Sequence, residues 1–196
     1  MVQIRPVQSL EELRSAWHLM QHAFDLDDQH PRNLAFYTEI LHDTPSLLLI
    51  AEDDGEQCGV LMASVEGDHV LVGEVLVAPA YRGQGIGSTL LATLEHNVRQ
   101  LGQHRLLLGS AAGAEAFYVR NGFVALLFIA VEAQHHALLD HLLRTDLAAY
   151  PLQWRAYTND ESKAIIAIGA FDPVLQGNVE QLLSGGTTQY LFTKEF

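Results

Sequence analysis

A turn with alternate glycines, Arg82-Gly83-Gln84-Gly85-Ile86-Gly87, is the part of this sequence best suited to chemistry. Three residues without Cβ atoms allow backbone amides to converge on an anion. Apolar residues then recur at helical spacing as far as Leu101, and the free amides and positive dipole end at a helix start bind phosphate oxygens. Because the Arg82 guanidinium can also pair with two oxygens at once, the pattern predicts a diphosphate site.

The glycine spacing differs from that of two commoner phosphate motifs. A Walker loop needs Lys where this chain has Ser88, and the glycines do not match a Rossmann turn. Glycines that only permit a tight turn would not need the accompanying Pro79, Arg82 and helix. An anion-binding turn is therefore the leading interpretation.

The elements before and after the turn must hold it in place, and the sequence predicts their boundaries. Ser9 and Glu12 form a capping box for a helix that runs to about Phe24. Pro31 is suited to the first position of a second helix, and Asp53-Asp54-Gly55 is a hairpin signal. The predicted strands are residues 2–7, 46–52, 57–65, 69–77, 105–109 and 123–131, and the predicted helices are residues 10–24, 31–42, 86–101 and 114–120.

The order of these elements predicts a mixed α/β fold. Three antiparallel strands lead into the turn and its helix, and the crossover back to residues 105–109 implies a parallel neighbour for residues 69–77. We therefore expect a mostly antiparallel sheet with one splayed parallel pair. The junction of that pair is the natural ligand site.

The composition limits the partners of the protein. Its 196 residues carry a formal net charge of −13, a field that repels nucleic acid and attracts cations such as amines. No apolar run is long enough for a bilayer and the first residues lack a signal-peptide pattern, so we expect a soluble, cytoplasmic protein without a membrane partner. The single cysteine, Cys58, excludes an internal disulfide. His18 and His22 have ligand spacing but no H-E-x-x-H motif, so no metal is expected.

The glycine turn resembles the signature of the Gcn5-related N-acetyltransferase (GNAT) superfamily, which is Arg or Gln followed by x-x-Gly-x-Gly or Ala. A second segment, with Ala114, Phe117, Tyr118 and Gly122-Phe123, is similar to the family pattern A-x-x-F-Y-x-x-x-G-F. The resemblance covers residues 1–132 and implies a GNAT acetyltransferase core there. It leaves residues 133–196 as a C-terminal α+β extension.

The resemblance implies acetyl-CoA (coenzyme A) as cosubstrate. In the family the diphosphate rests on the signature turn and the pantetheine pairs with the strand before it. The family often has Asn where this chain has Ala111, and Ser110 is the candidate substitute. The cofactor-binding residues implied for this chain are Leu76, Val77, Arg82, Gly83, Gln84, Gly85, Ile86, Gly87, Ser88 and Ser110.

Acyl transfer to an amine needs a neutral amine, a polarised carbonyl and a proton for the leaving thiolate. Glu74 lies on an otherwise apolar strand, where burial would raise its pKa towards that of a base acting directly or through water. The alternative is that Glu74 lies on the solvated face of its strand and is not a base. His69 and Glu66 are weaker candidates for the base. The amide near Val77 could stabilise an oxyanion. The resemblance places Tyr118 at the position of the general acid, and simple packing on the cofactor is the alternative.

The sequence thus favours an N-acetyltransferase that transfers an acetyl group from acetyl-CoA to a primary amine of a small molecule or protein by direct attack. The first alternative is a non-catalytic acyl-CoA-binding or regulatory module that keeps the turn. The second is an interaction protein without a CoA site. The extension of residues 133–196 could complete the sheet, form a lid over the acceptor groove, or mediate a homodimer.

Overall fold

The computed structural model describes residues 1–111, 113–183 and 186–196. It divides into two compact units, residues 1–106 with 195–196 and residues 107–194. Each unit combines helices with mostly antiparallel strands. The predicted mixed α/β fold class is therefore confirmed.

The first unit begins with a four-stranded antiparallel sheet in the order β1-β2-β3-β4. Arg105 and Leu106, the start of β5, also belong to this unit, and the strand order places β5 beside β4 as the one parallel pair. The elements of this unit are β1 (Gln3–Pro6), α1 (Leu10–Phe24), α2 (Leu34–Asp43), β2 (Leu48–Asp53), β3 (Glu56–Glu66), β4 (His69–Val77), α3 (Ile86–Gln100) and the start of β5 (Arg105–Gly109).

Helices cover both faces of the first sheet because successive strand side chains point to opposite sides. On one face α1 and α2 bury Trp17, Met20 and Tyr37 against Ile50 and Met62. On the other face α3 packs on β2, β3 and β4, and buries five apolar residues: Ile86, Leu90, Leu91, Leu94 and Val98. These two layers fix β4 and the start of α3, the elements that carry the glycine turn.

The second unit is built around β6, which pairs antiparallel with both β8 and β9. The strand order is β5-β9-β6-β8-β7, so strands β7, β8 and β9, which lie within residues 133–196, share one sheet with β6. Its elements are the remainder of β5, α4 (Glu115–Arg120), β6 (Val124–Glu132), α5 (His136–Arg144), β7 (Leu152–Tyr157), β8 (Glu161–Gly169), α6 (Pro173–Leu182) and β9 (Thr187–Glu195).

One predicted helix start is wrong. Helix α2 begins at Leu34 rather than at Pro31, because the Asn33 side chain accepts a hydrogen bond from the Phe36 amide at 3.2 Å and caps the helix there. Helix α1 starts as predicted, with Ser9 Oγ accepting from the Glu12 amide at 3.2 Å. Residues 31–33 therefore belong to the loop before α2.

Two further expectations concern the domain boundary and membrane-spanning segments. The division between the compact units falls at residue 106, whereas the boundary predicted at residue 132 marks the end of the family resemblance and stays a prediction. In the described part of the chain, no helix has the length and apolar character needed to cross a membrane.

Candidate active site

The glycine turn leaves β4 through a short 3-10 turn at Pro79–Tyr81. Gly83 and Gly85 have φ angles of 77° and 82°, a left-handed conformation that other residues adopt only with strain. A Cβ atom at either position would meet nothing within 4 Å. The glycines are therefore required by backbone conformation, and the space above the turn is open.

Gly85 is the N-cap of α3. The first backbone hydrogen bond of the helix runs from the Thr89 amide to the Gly85 carbonyl at 3.0 Å. Within the described residues, none of the amides of residues 83–88 donates to a backbone carbonyl. Free amides at the positive end of a helix dipole can bind an anion, and the prediction of a diphosphate site on this turn requires such amides.

The predicted binding residues differ in what they offer to a ligand. Gly83, Gln84 and Gly85 are exposed, and Gly87 and Ser88 are half-buried. Ile86 is buried, with its side chain packed near Gly59. Ile86 therefore contributes its amide alone, while its side chain anchors the turn in the core.

Arg82 links the turn to the end of β4. Its Nε donates to the Val77 carbonyl at 3.0 Å, and the next amide, that of Ala78, donates to the Cys58 carbonyl of β3 at 2.9 Å. Because backbone groups alternate in direction along an antiparallel strand, the amide and carbonyl of Val77 point away from β3. The Val77 amide is thus not used by the sheet partner on that side.

A cavity of about 300 Å³ adjoins this junction. Arg82 and His22 are the polar side chains of its lining, and the other lining residues are apolar or are Cys58 and Gly59. The lining residues are Leu19, His22, Ala23, Cys58, Gly59, Leu76, Ala78, Pro79 and Arg82. Leu76 and Arg82, two of the predicted cofactor contacts, therefore face one cavity.

Glu74 is held in an apolar layer by a bulge in β4. The register shifts between Met62 and Ala63, leaving Gly73 without a partner on β3. Glu74 is 7% exposed, and its carboxylate accepts a hydrogen bond from the Tyr37 hydroxyl on α2. A Cβ at Gly73 would lie 2.7 Å from that hydroxyl. Glycine at this position therefore lets the tyrosine approach the carboxylate.

Burial raises the pKa of Glu74 above its ordinary value. The Tyr37 hydrogen bond and the nearby charges of Arg32 and His30 oppose this shift but do not cancel it. Desolvation disfavours a charged carboxylate. Glu74 consequently holds a proton more readily than an exposed glutamate, and a pKa raised by burial is a common feature of carboxyl groups that act as bases.

Two side chains near Glu74, those of an arginine and a histidine, could not be found from the sequence. Arg32 Nε lies 3.6 Å from Glu74 Oε1, and His30 Nδ1 accepts a hydrogen bond from the Arg32 amide at 3.2 Å. Both come from the loop between α1 and α2, where no periodic pattern marks a residue. Glu74 could be identified because it interrupts an apolar strand, but nothing local in the sequence indicates these partners.

The weaker base candidates lie at the opposite end of β4. His69 begins the strand and contacts the exposed Asp68 at 3.1 Å. Glu66 is exposed at the end of β3 and accepts from Ser64 Oγ at 3.2 Å. Val77 is the last residue of β4, so Glu74 lies much closer along the strand to the turn.

Tyr118 and Ser110 belong to the second unit. The Tyr118 ring packs against Phe117, Phe123 and Phe192, with centroid distances of 5.1, 5.9 and 5.6 Å. The side chain is 8% exposed, and burial raises the pKa of its phenol. Ser110 Oγ donates to the Ala111 carbonyl at 2.9 Å. Tyr118 therefore stays protonated near neutral pH, and the Ser110 hydroxyl proton is engaged locally.

The histidines offer no multidentate metal site within the described ranges. No group of three or more His, Cys, Asp or Glu side chains is arranged to hold a metal there. His18 and His22 contact each other on the exposed side of α1, with their Nδ1 atoms 3.1 Å apart.

Comparison with known families identifies the class of protein. Residues 10–123, more than half of the chain, match the model of the acetyltransferase (GNAT) family, and the chain belongs to this family.

A curated relative supports this class. Mycothiol acetyltransferase from Rothia mucilaginosa (strain DY-18) is 40% identical over 93 residues, which cover 41% of this chain and 25% of that protein. The chain thus matches about a quarter of the length of that relative.

Solved structures share the fold. Ard1 from Thermoplasma volcanium has 15% identity and a TM-score of 0.53, with 85% of this chain and 98% of that chain covered. Diaminobutyrate acetyltransferase EctA from Paenibacillus lautus, solved with its substrate and coenzyme A, has 17% identity, coverages of 88% and 98%, and a TM-score of 0.55. PaiA N-acetyltransferase from Thermoplasma acidophilum, in complex with coenzyme A, has 19% identity, coverages of 63% and 89%, and a TM-score of 0.51.

Proposed function

We propose that this chain is an acyltransferase that transfers an acetyl group from acetyl-CoA to a primary amine by direct attack. The observation that carries the proposal is the set of free amides of residues 83–88 at the start of α3. These amides are arranged for the diphosphate of coenzyme A. Solved family members in complex with coenzyme A support the choice of donor.

Val77 is the proposed oxyanion donor. Its amide points away from β3, at the end of β4 that adjoins the turn and the apolar cavity. A thioester carbonyl at this edge would receive a backbone N–H without breaking a hydrogen bond to β3. Such a preorganised donor stabilises the negative charge of a tetrahedral intermediate.

Glu74 is the proposed base. It lies three residues before Val77, a span of about 10 Å along an extended strand, so a water relay suits this distance. The amine nitrogen attacks the thioester carbon, its proton passes to Glu74, and the C–S bond breaks. The raised pKa of Glu74 predicts a rate that rises with pH as this carboxyl group loses its proton.

Tyr118 is the proposed acid that returns a proton to the coenzyme A thiolate, a role that rests on the family pattern. Tyr118→Phe should lower turnover more than it lowers affinity for coenzyme A, because only proton donation is removed. Tyr150→Phe, a half-buried tyrosine of the same unit, is the control. Steady-state kinetics with unchanged turnover in Tyr118→Phe would remove the assignment.

Measuring thiol release from acetyl-CoA across a panel of amines tests whether the acceptor is a primary amine. Turnover of at least one primary amine, with a matching acetylated product in the mass spectrum, is the expected result. Cofactor binding without turnover of any amine would favour the alternative, a non-catalytic acyl-CoA-binding module. Absence of a thermal shift at millimolar coenzyme A would contradict both.

A homodimer through the C-terminal extension is proposed as the quaternary state. Strand β7 stands at the end of the strand order and, among residues 1–111, 113–183 and 186–196, pairs with β8 alone. It exposes Leu152 and Trp154, each 46% exposed, and an unpaired strand edge is a template for a second strand. Light scattering that gives a monomer mass at micromolar concentration would overturn this proposal.

A further inference from the structure

Arg32 lies over the β4 bulge, next to the proposed base. A Cβ atom at Gly73 would be 3.3 Å from Arg32 Nε, and that nitrogen is 3.6 Å from Glu74 Oε1. The distance exceeds that of a hydrogen bond. Arg32 is therefore attracted to Glu74 by charge without being bonded to it.

One donor of this guanidinium is unpaired. Arg32 Nε is buried and has no hydrogen-bond partner in the described part of the protein. The side chain as a whole is 31% exposed, so part of it is accessible to solvent. An arginine has five N–H donors in a planar fork that matches a carboxylate. An unpaired donor beside a catalytic base is suited to an anionic group on the substrate.

The position of Arg32 beside Glu74 is unusual for a chain in which acidic residues outnumber basic ones. The chain has 11 Lys and Arg against 24 Asp and Glu, yet Arg32 and His30 stand together beside one buried carboxylate. A base that received simple alkylamines would gain nothing from a neighbouring guanidinium, which repels an ammonium ion. An acceptor that carries its own negative charge near the amine would instead be held by Arg32.

We propose that the acceptor is a small amino-carboxylate, with its amine directed to Glu74 and its carboxylate bound by Arg32. The separation of 3.6 Å between Glu74 Oε1 and Arg32 Nε places opposite charges side by side, as the amine and carboxylate of an amino acid are. This inference rests on the proposed function. It narrows the acceptor from any primary amine to one with an adjacent carboxylate.

The test compares matched acceptors in the full-length protein saturated with acetyl-CoA. Phenylalanine, phenylalaninamide and phenethylamine form one series, and lysine, lysinamide and cadaverine form another. We expect kcat/KM to be on the order of tenfold to a hundredfold higher for the carboxylates, the range for a hydrogen bond between charged groups. Equal or faster turnover of the amides and decarboxylated amines would overturn the inference and leave the proposed function intact. No turnover of any acceptor would overturn both.

Arg32→Gln separates substrate binding from a structural role. It should lower the ratio of kcat/KM for phenylalanine to kcat/KM for phenethylamine towards one, and Arg32→Lys should restore part of that ratio. Arg14→Gln, an exposed arginine on α1, is the control and should keep the wild-type preference. If Arg32→Gln lowers turnover of all acceptors equally, with an unchanged melting temperature, Arg32 acts only on Glu74 and the inference is wrong.

Discussion

At the scale of single residues, the site depends on a carboxyl group kept in an apolar layer. Glu74 could be singled out from the sequence because it interrupts an apolar strand. Its hydrogen bond from Tyr37 could not, since the two residues are 37 positions apart in the chain and only the packing of α2 on β4 brings them together. Arg32 was missed for the same reason. Local patterns thus identify the titrating group but not the neighbours that set its pKa.

Glu74→Gln should lower turnover and raise stability at the same time. Removing a general base costs about a hundredfold or more in rate. The raised pKa of Glu74 means that its stabilising contribution is present below its unfolded-state pKa and is lost as pH rises through the folded-state pKa. The free energy of unfolding, measured with denaturant between about pH 4 and about pH 8, should therefore increase for the variant relative to the wild type as pH rises.

Glu66→Gln, an exposed carboxylate of the same hairpin, is the control for this experiment and should change neither property. A difference in unfolding free energy between Glu74→Gln and the wild type that stays constant across the pH range would show that burial does not shift the pKa of Glu74. Normal turnover in Glu74→Gln would exclude it as the base.

At the scale of helices and strands, the backbone conformation of the glycine turn and the ends of the helices determine where the site residues lie. The glycine turn and α3 were predicted closely because capping, periodicity and glycine spacing are local signals. The start of α2 was predicted three residues early, since the Asn33 cap competes with Pro31 and tertiary packing selects between them. The partner of β6 could not be predicted, because β9 joins it across about sixty residues of sequence.

Gly85→Ala should weaken both the fold and cofactor binding. Alanine at a φ of 82° costs about 1–2 kcal/mol, although its Cβ would meet no atom within 4 Å. Gly177→Ala, in helix α6 with open space around it, is the matched control and should stabilise the protein by about 0.5–1 kcal/mol. Equal effects of the two substitutions in urea unfolding and in coenzyme A titration would contradict the conclusion that the backbone conformation at residue 85 requires glycine.

At the scale of the whole molecule, the net charge of −13 should act on the approach of substrates. Raising ionic strength from about 0.01 M to about 1 M shortens the screening length from about 30 Å to about 3 Å. With acetyl-CoA saturating, kcat/KM for the cationic lysinamide should fall by about tenfold, while that for zwitterionic phenylalanine should change little. An equal response of both acceptors would show that long-range steering is absent.

The most direct test of the account is nuclear magnetic resonance of the ¹⁵N-labelled protein titrated with coenzyme A and, separately, with pantetheine, which lacks the diphosphate. The amides of Gly83, Gly85 and Gly87 should shift strongly with coenzyme A and little with pantetheine, because these N–H groups are free at the start of α3. If saturating coenzyme A leaves these three resonances in place, the diphosphate does not bind the turn and the proposed enzyme has no donor site there.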